Sequence, residues 1–341
     1  MKKQNKILSN MQGIKDNQQP PKEQIQSIID TFSSGQKKEA IIKIDALIEK
    51  YPLAPLLLNI SGSFYKSNSQ LDVAVIKFNQ ALVLEPKYTE VHYNLGVTLR
   101  ELGQIDEAIK SYKRALSIKN EHPNAHYNLG NALLSLKHYD AAIEHFESAV
   151  IFNPKFAQAY NNLGLANKLL GNDVEAGNNF DNALIIKPDY AEAANHRGVI
   201  FQNDGDLENA IKYYQKSLKI NPELADAYNN IGLTEKELNK TDNAIKSFES
   251  ALAVDPNFAN AYYNLSQIKQ YTFSKEQVTK LQALLSSDGV SQSDLIAINY
   301  SLAAVNEGLQ NQDRFFNYLH EANRLRKKEL NYSINTSKKI I

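Results

Sequence analysis

The 341-residue chain contains no cysteine and no tryptophan. Without cysteine there are no disulfides, no thiolate metal ligands and no cysteine nucleophile, a composition compatible with a reducing cytosol. Charge of one sign is also missing, because 38 Lys and Arg balance 38 Asp and Glu. A neutral chain has no electrostatic reason to take nucleic acid or an anionic membrane as its main partner. No stretch approaches the roughly 20 apolar residues of a membrane span. Residues 1–20, rich in Lys, Asn and Gln, lack the apolar run of a secretory signal. The expectation is a cytoplasmic protein with a disordered tail over 1–20 and neither nucleic acid nor membrane as partner.

Catalytic signatures are absent as well. The histidines (His92, His122, His126, His138, His145, His196 and His320) form no His-Glu-x-x-His motif. No Gly-x-x-x-x-Gly-Lys loop, Gly-x-Gly-x-x-Gly turn or Gly-x-Ser-x-Gly elbow occurs. His122 and His126 stand close in sequence, but Pro123 falls between them at a predicted helix start and keeps them off one helical face. The chain is expected to be no enzyme, with no catalytic residue, metal or cofactor.

What is present is a period. Tyr-Asn-Leu-Gly occurs at Tyr93–Gly96 and again 34 residues later at Tyr127–Gly130. Asn161–Gly164 and Asn229–Gly232 vary the same word, and Tyr263–Leu265 restarts it with Ser266 in the glycine slot. Pro52, Pro86, Pro154, Pro188, Pro222 and Pro256 keep the same 34-residue spacing or its double, with Asn120 in the skipped slot. These words and their period resemble the tetratricopeptide repeat (TPR) family, whose unit is a 34-residue helix–turn–helix. The resemblance covers 21–292, as units 21–54, 55–88, 89–122, 123–156, 157–190, 191–224 and 225–258, with a decaying copy over 259–292. It implies an all-α fold, a right-handed superhelical solenoid of antiparallel helix hairpins, whose first helices line a concave groove.

The slots explain the hairpin. Gly62, Gly96, Gly130, Gly164, Gly198 and Gly232 hold the eighth position, and Ala74, Ala108, Ala142, Ala176, Ala210 and Ala244 follow twelve residues later. Two small residues let the helices approach. Phe78, Tyr112, Phe146, Phe180, Tyr214 and Phe248 fill the space between them. Gly35, Gly103, Gly171, Gly205 and Asn239 suit the positive φ of a helix C-cap, with Ser69 and Lys137 as exceptions. Proline then ends the second helix. Each hairpin leaves an apolar face that only a neighbour buries.

Candidate contact residues lie on the first helices. Asn94, Asn128, Asn162, Asn230 and Asn264 occupy the sixth position, with His196 in the middle unit. A carboxamide pairs with both N–H and C=O of an extended peptide. The row resembles the peptide-holding asparagine ladder of the O-linked N-acetylglucosamine transferases. Asparagine before Leu-Gly also belongs to the repeat's general consensus, so a purely repeat-stabilising role stands beside it. Tyr93, Tyr127, Asn131, Asn161, Asn195, Asn229 and Tyr263 neighbour the row and complete the candidate groove. The basic clamp of chaperone-binding members is missing: the second positions are Glu90, Asn124, Gln158, Glu192, Asp226 and Asn260. The expected partner is a protein or extended peptide of neutral to mildly basic character. The unit 191–224 departs most, with Ala194, His196 and Arg197; a snorkelling Arg197 is expected.

Towards the C-terminus the period dissolves. Residues 267–287 read as helical, Ser287–Gly289 as a turn, and Leu295–Asn306 with Arg314–Lys328 as a degenerate hairpin within 293–330. There Ala322 takes a small-residue slot and Phe315, Phe316 and Leu319 are expected to pack, with 331–341 as a tail or truncated linker. The words Asn264–Gln270, Glu321–Lys328 and Asn331–Ser333 resemble those preceding the catalytic domain of bacterial TPR-sulfotransferases. That resemblance implies an alternative role: the substrate-recognition region of such an enzyme, or less plausibly of a glycosyltransferase, whose catalytic part lies outside this chain.

Overall fold

A computed structural model describes residues 20–330. The expected tails, through residue 19 and from 331 onward, lie outside the described residues, as does the word at Asn331–Ser333. All regular structure described is helical, in two compact units that part between Leu170 and Gly171.

The first unit contains α1 (Lys22–Ser33), α2 (Lys37–Lys50), α3 (Pro55–Ser67), α4 (Leu71–Leu84), α5 (Thr89–Glu101), α6 (Ile105–Ile118), α7 (Pro123–Ser135), α8 (Tyr139–Phe152) and α9 (Ala157–Leu170). They pair as hairpins α1/α2, α3/α4, α5/α6 and α7/α8, and each second helix packs on the next first helix. The second unit contains α10 (Asp173–Ile186), α11 (Ala191–Asn203), α12 (Leu207–Ile220), α13 (Ala225–Glu237), α14 (Thr241–Val254), α15 (Ala259–Ser266), α16 (Lys275–Leu285), α17 (Gln292–Gly308) and α18 (Gln312–Glu329). Its hairpins are α11/α12, α13/α14 and α17/α18.

The eighth-position glycines have a more specific reason than close helix approach. A Cβ on Gly62, Gly96, Gly198 or Gly232 would lie 2.6 Å from the ring at the aromatic slot of its own hairpin, and one on Gly130 2.7 Å from Phe146. The glycine is the socket for the ring. Phe78, Tyr112, Phe146, Tyr214 and Phe248 are accordingly fully buried. At the helix ends, Ser69 (φ 59°) and Lys137 (φ 62°) adopt the same left-handed conformation as Gly35, Gly103, Gly171, Gly205 and Asn239. They depart from the pattern in residue type and not in geometry. Second helices stop two residues before each proline, where the ring restricts its predecessor to extended backbone. Pro123 occupies the first turn of α7.

Three expectations need correcting. Residues 267–287 are not one helix: α15 ends at Ser266, and α16 starts at Lys275 behind a Ser274–Gln277 capping box. Tyr271 and Phe273 in the break stack edge-on at 5.1 Å, and Phe273 lies 6.4 Å from Tyr262, so aromatic packing there replaces a helical turn. The short α15 instead packs on α17. Phe316 is exposed on α18 and packs only against Phe315 and His320 of the same helix, whereas Phe315 and Leu319 are half-buried and Ala322 is fully buried. Arg197 does not simply snorkel. Its Nε donates to both carboxylate oxygens of Asp181, at 3.0 and 3.1 Å, and its guanidinium lies 3.9 Å from the Phe201 ring centre. Gly177 stands within 3.3 Å of that guanidinium, measured from where its Cβ would be, and makes room for it.

Candidate functional site

Within each unit consecutive first helices touch: α3 with α5, α5 with α7 and α7 with α9 in one, α11 with α13 and α13 with α15 in the other. Side chains from the fifth and sixth positions therefore meet across a repeat step, and they bond to each other. In the first unit Asn94 Nδ2 donates to Asn59 Oδ1 at 2.9 Å, and Asn128 Nδ2 to the Tyr93 hydroxyl at 3.1 Å. Asn162 Nδ2 donates to the Tyr127 hydroxyl at 3.3 Å and to Asn131 Oδ1 at 2.7 Å, while Asn161 Nδ2 donates to Asn162 Oδ1 at 3.0 Å. In the second unit Asn230 Nδ2 donates to Asn195 Oδ1 at 3.1 Å, and Asn264 Nδ2 to Asn229 Oδ1 at 2.7 Å.

The asparagine row is thus a row of stitches, each joining a sixth position to the fifth position 35 residues earlier. One net hydrogen bond of this kind contributes about 0.5–1.5 kcal/mol. A carboxamide has more capacity than one bond uses: a second N–H and an oxygen with two lone pairs. The amide oxygens of Asn94, Asn128, Asn230 and Asn264 accept no hydrogen bond from a described residue and are not fully buried, the Tyr112 hydroxyl being the one buried side-chain polar atom without a partner among the described residues. The rings beside the row are held in place. Tyr93 packs 4.9 Å from His122, and Tyr127 packs 4.8 Å from Phe156. Burial pushes the Tyr93 phenol up, so it stays a neutral hydroxyl at any ordinary pH.

Two further candidates make ring contacts. The His196 ring packs 5.2 Å from Phe180, and Tyr263 packs 5.8 Å from Tyr300 of α17. The sequence reading missed Asn59, which opens the row because Ile60 holds the sixth position of its unit; its fifth-position register was the available signal. It also missed a histidine pair. His126 Nδ1 lies 3.1 Å from His145 Nδ1, and His126 Nε2 lies 3.0 Å from the Asn120 carbonyl. An Nε2–H on His126 donating to that carbonyl leaves Nδ1 to accept from His145. Burial, then neighbouring His126 and Lys113, hold His145 down at about 4. His122 caps α7, its Nδ1 accepting from the Ala125 amide at 3.2 Å. Among the described residues no group of three or more potential metal ligands converges. No described helix is long and apolar enough to cross a membrane.

Models described as TPR repeat or tetratricopeptide repeat match residues 77–110, 98–137, 123–156 and 189–257. These matches do not reach the words at 264–270 or 321–328 that resemble sulfotransferase-linked sequences. A search of curated proteins returns no match. Among solved structures, the chain is similar to a tetratricopeptide repeat protein of Parabacteroides merdae, with 21% identity over 78% of this chain and 98% of that one and a TM-score of 0.55. The C-terminal part of a TPR repeat-containing protein of Cytophaga hutchinsonii is 20% identical over 70% and 98%, with a TM-score of 0.56. PilF of Pseudomonas aeruginosa is 18% identical over 61% and 94%, with a TM-score of 0.54. Such likeness concerns the fold, an all-helical repeat solenoid.

Proposed function

We propose that this chain, a tetratricopeptide repeat protein, is a non-catalytic scaffold whose first-helix faces each hold an extended segment of a partner protein. The supporting observation is the unspent capacity of the stitched amides. Asn94, Asn128, Asn230 and Asn264 each commit their Nδ2 to the neighbouring repeat and keep an amide oxygen for a partner. That geometry pre-pays the side-chain ordering that a contact residue otherwise loses on binding. The groove residues in the first unit are Asn94, Asn128, Asn162, Asn161, Asn131, Tyr93 and Tyr127. In the second unit they are Asn195, His196, Asn229, Asn230, Tyr263 and Asn264.

A few amide bonds give weak, sequence-tolerant binding, since association costs at least about 4 kcal/mol before any gain. Selectivity then comes from charge. Without cations at the second and fifth positions, the partner segment is neutral to mildly basic. Selection from a random peptide library on the full chain tests this reading. Enriched peptides of neutral or mildly basic character, cross-linking to α5, α7 or α13, are the expected result. A pool dominated by acidic C-terminal tails, or cross-links confined to second helices, would overturn it.

A further inference from the structure

A second row of side chains on the first helices repeats the 35-residue step. Lys66 Nζ, at the twelfth position of its unit, pairs with the Glu101 carboxylate at 3.2 Å. Gln202 Nε2, at the same position, donates to the Glu237 carboxylate at 2.6 Å. In both places a donor at the twelfth position meets a carboxylate at the thirteenth position of the following unit. Arg100 has no such acceptor: the matching residue is Ser135, whose Oγ donates to the Ala132 carbonyl at 2.7 Å. The guanidinium is half-buried and makes no hydrogen bond or ion pair with any described residue.

Beneath it an independent observation points the same way. Tyr112 and Tyr214 are the two tyrosines in the buried aromatic slot. The Tyr214 hydroxyl donates to Gln202 Oε1 at 2.8 Å. Gln202 therefore links a buried phenol to the Glu237 carboxylate. In the Tyr112 hairpin the linking position is Arg100, which carries donors and no acceptor. The fully buried Tyr112 hydroxyl is left unpartnered. An unmatched buried hydroxyl costs about 1–3 kcal/mol. Arginine at a position where glutamine would satisfy it is locally unfavourable unless an acceptor arrives from outside.

We infer that Arg100, with the Tyr112 hydroxyl below it, is a seat for one carboxylate of the partner segment on the first-unit face. The carboxylate would take the place that Glu101 and Glu237 hold in the other two pairs. A planar guanidinium matches a carboxylate in two parallel hydrogen bonds. Tyr93 flanks the seat, so the anion sits beside the amide row. This inference rests on the groove reading and adds one acidic group to an otherwise neutral or mildly basic segment.

Two variants of the full chain test it. Ser135→Glu supplies the missing carboxylate from within and is expected to raise the melting temperature by about 1–3 °C at low salt. That gain should vanish in high salt and in an Arg100→Gln background. Arg100→Gln alone should reproduce the Tyr214–Gln202 pair without loss of stability. Capped peptide pools carrying one central Glu should bind the wild type about tenfold tighter than the matching Gln pools. Both variants should abolish the difference. A pool with Gln at the centre and a free C-terminal carboxylate separates a side-chain source from a terminal one; preference for either supports a carboxylate seat. Equal binding of all pools, or no stabilisation by Ser135→Glu, overturns the seat and leaves the groove reading standing. No binding by any pool, with the Ser135→Glu effect present, overturns the groove reading and with it the assignment of the seat to a partner.

Discussion

The glycine of each hairpin shows what the residue scale adds. From the period alone, glycine and alanine twelve residues apart read as two small surfaces that let helices approach. In the structure the glycine chiefly accommodates the aromatic ring of the same hairpin, and at Gly198 also the Ala210 carbonyl of the facing helix. Alanine at Gly96 would drive its methyl to 2.6 Å from a fully buried Tyr112 ring. We expect Gly96→Ala to destabilise the protein by about 1–3 kcal/mol through overpacking, read as a lower midpoint in urea. The companion Gly96→Ala/Tyr112→Leu should recover part of that loss, because the shorter side chain clears the socket. The stitches were less legible at this scale. Asparagine at the sixth position was visible as a row, but its bonding to the fifth position of the preceding repeat depends on the offset between adjacent helices. Nothing in a one-dimensional pattern encodes that offset.

At the scale of the element, helix boundaries were legible where proline and a positive-φ residue punctuate them. They failed where those marks are missing. The break after α15 lacks both, and the Ser274–Gln277 capping box that starts α16 was hidden within an apparently continuous helix. The turn between α7 and α8 carries a different discrepancy. Lys137 holds φ at 62° with a Cβ that the left-handed region disfavours by about 1–2 kcal/mol. Lys137→Gly is expected to stabilise by about 0.5–1 kcal/mol, the unfolded-state entropy of glycine offsetting part of the relief. Thermal denaturation checks it, and a lowered melting temperature would show that the lysine stem contributes more than its backbone costs.

For the molecule as a whole, the repeat architecture was legible because the glycine, alanine, aromatic and proline slots share one register across it. Its response to acid was not. Buried neutral, His145 binds its proton more readily in the unfolded chain, so its contribution is complete above about pH 6.5 and is lost as pH falls toward about 4. Solvent at this half-buried site reduces the effect to about 1–2 kcal/mol. Asp45 acts in a lower window. Burial raises it, but hydrogen bonds from Lys77, Tyr65 and Ser61 outweigh burial and hold it low, so its contribution is lost only as pH falls below about 3.8. His145→Gln should therefore flatten stability between pH 6.5 and 4 and leave the steeper loss below it unchanged, as urea midpoints across pH will report.

The scaffold reading depends on amides that serve the stack and a partner at once, and two variants separate those services. Tyr93→Phe/Tyr127→Phe removes two stitching acceptors and spares the amides; Asn128→Ala/Asn162→Ala removes the amides themselves. The measurement is the affinity of a library-selected segment for each variant, at matched folded fraction. The account predicts that the asparagine variant binds about tenfold more weakly than the tyrosine variant. Equal affinities in the two would contradict it and leave the asparagine row a purely structural stitch.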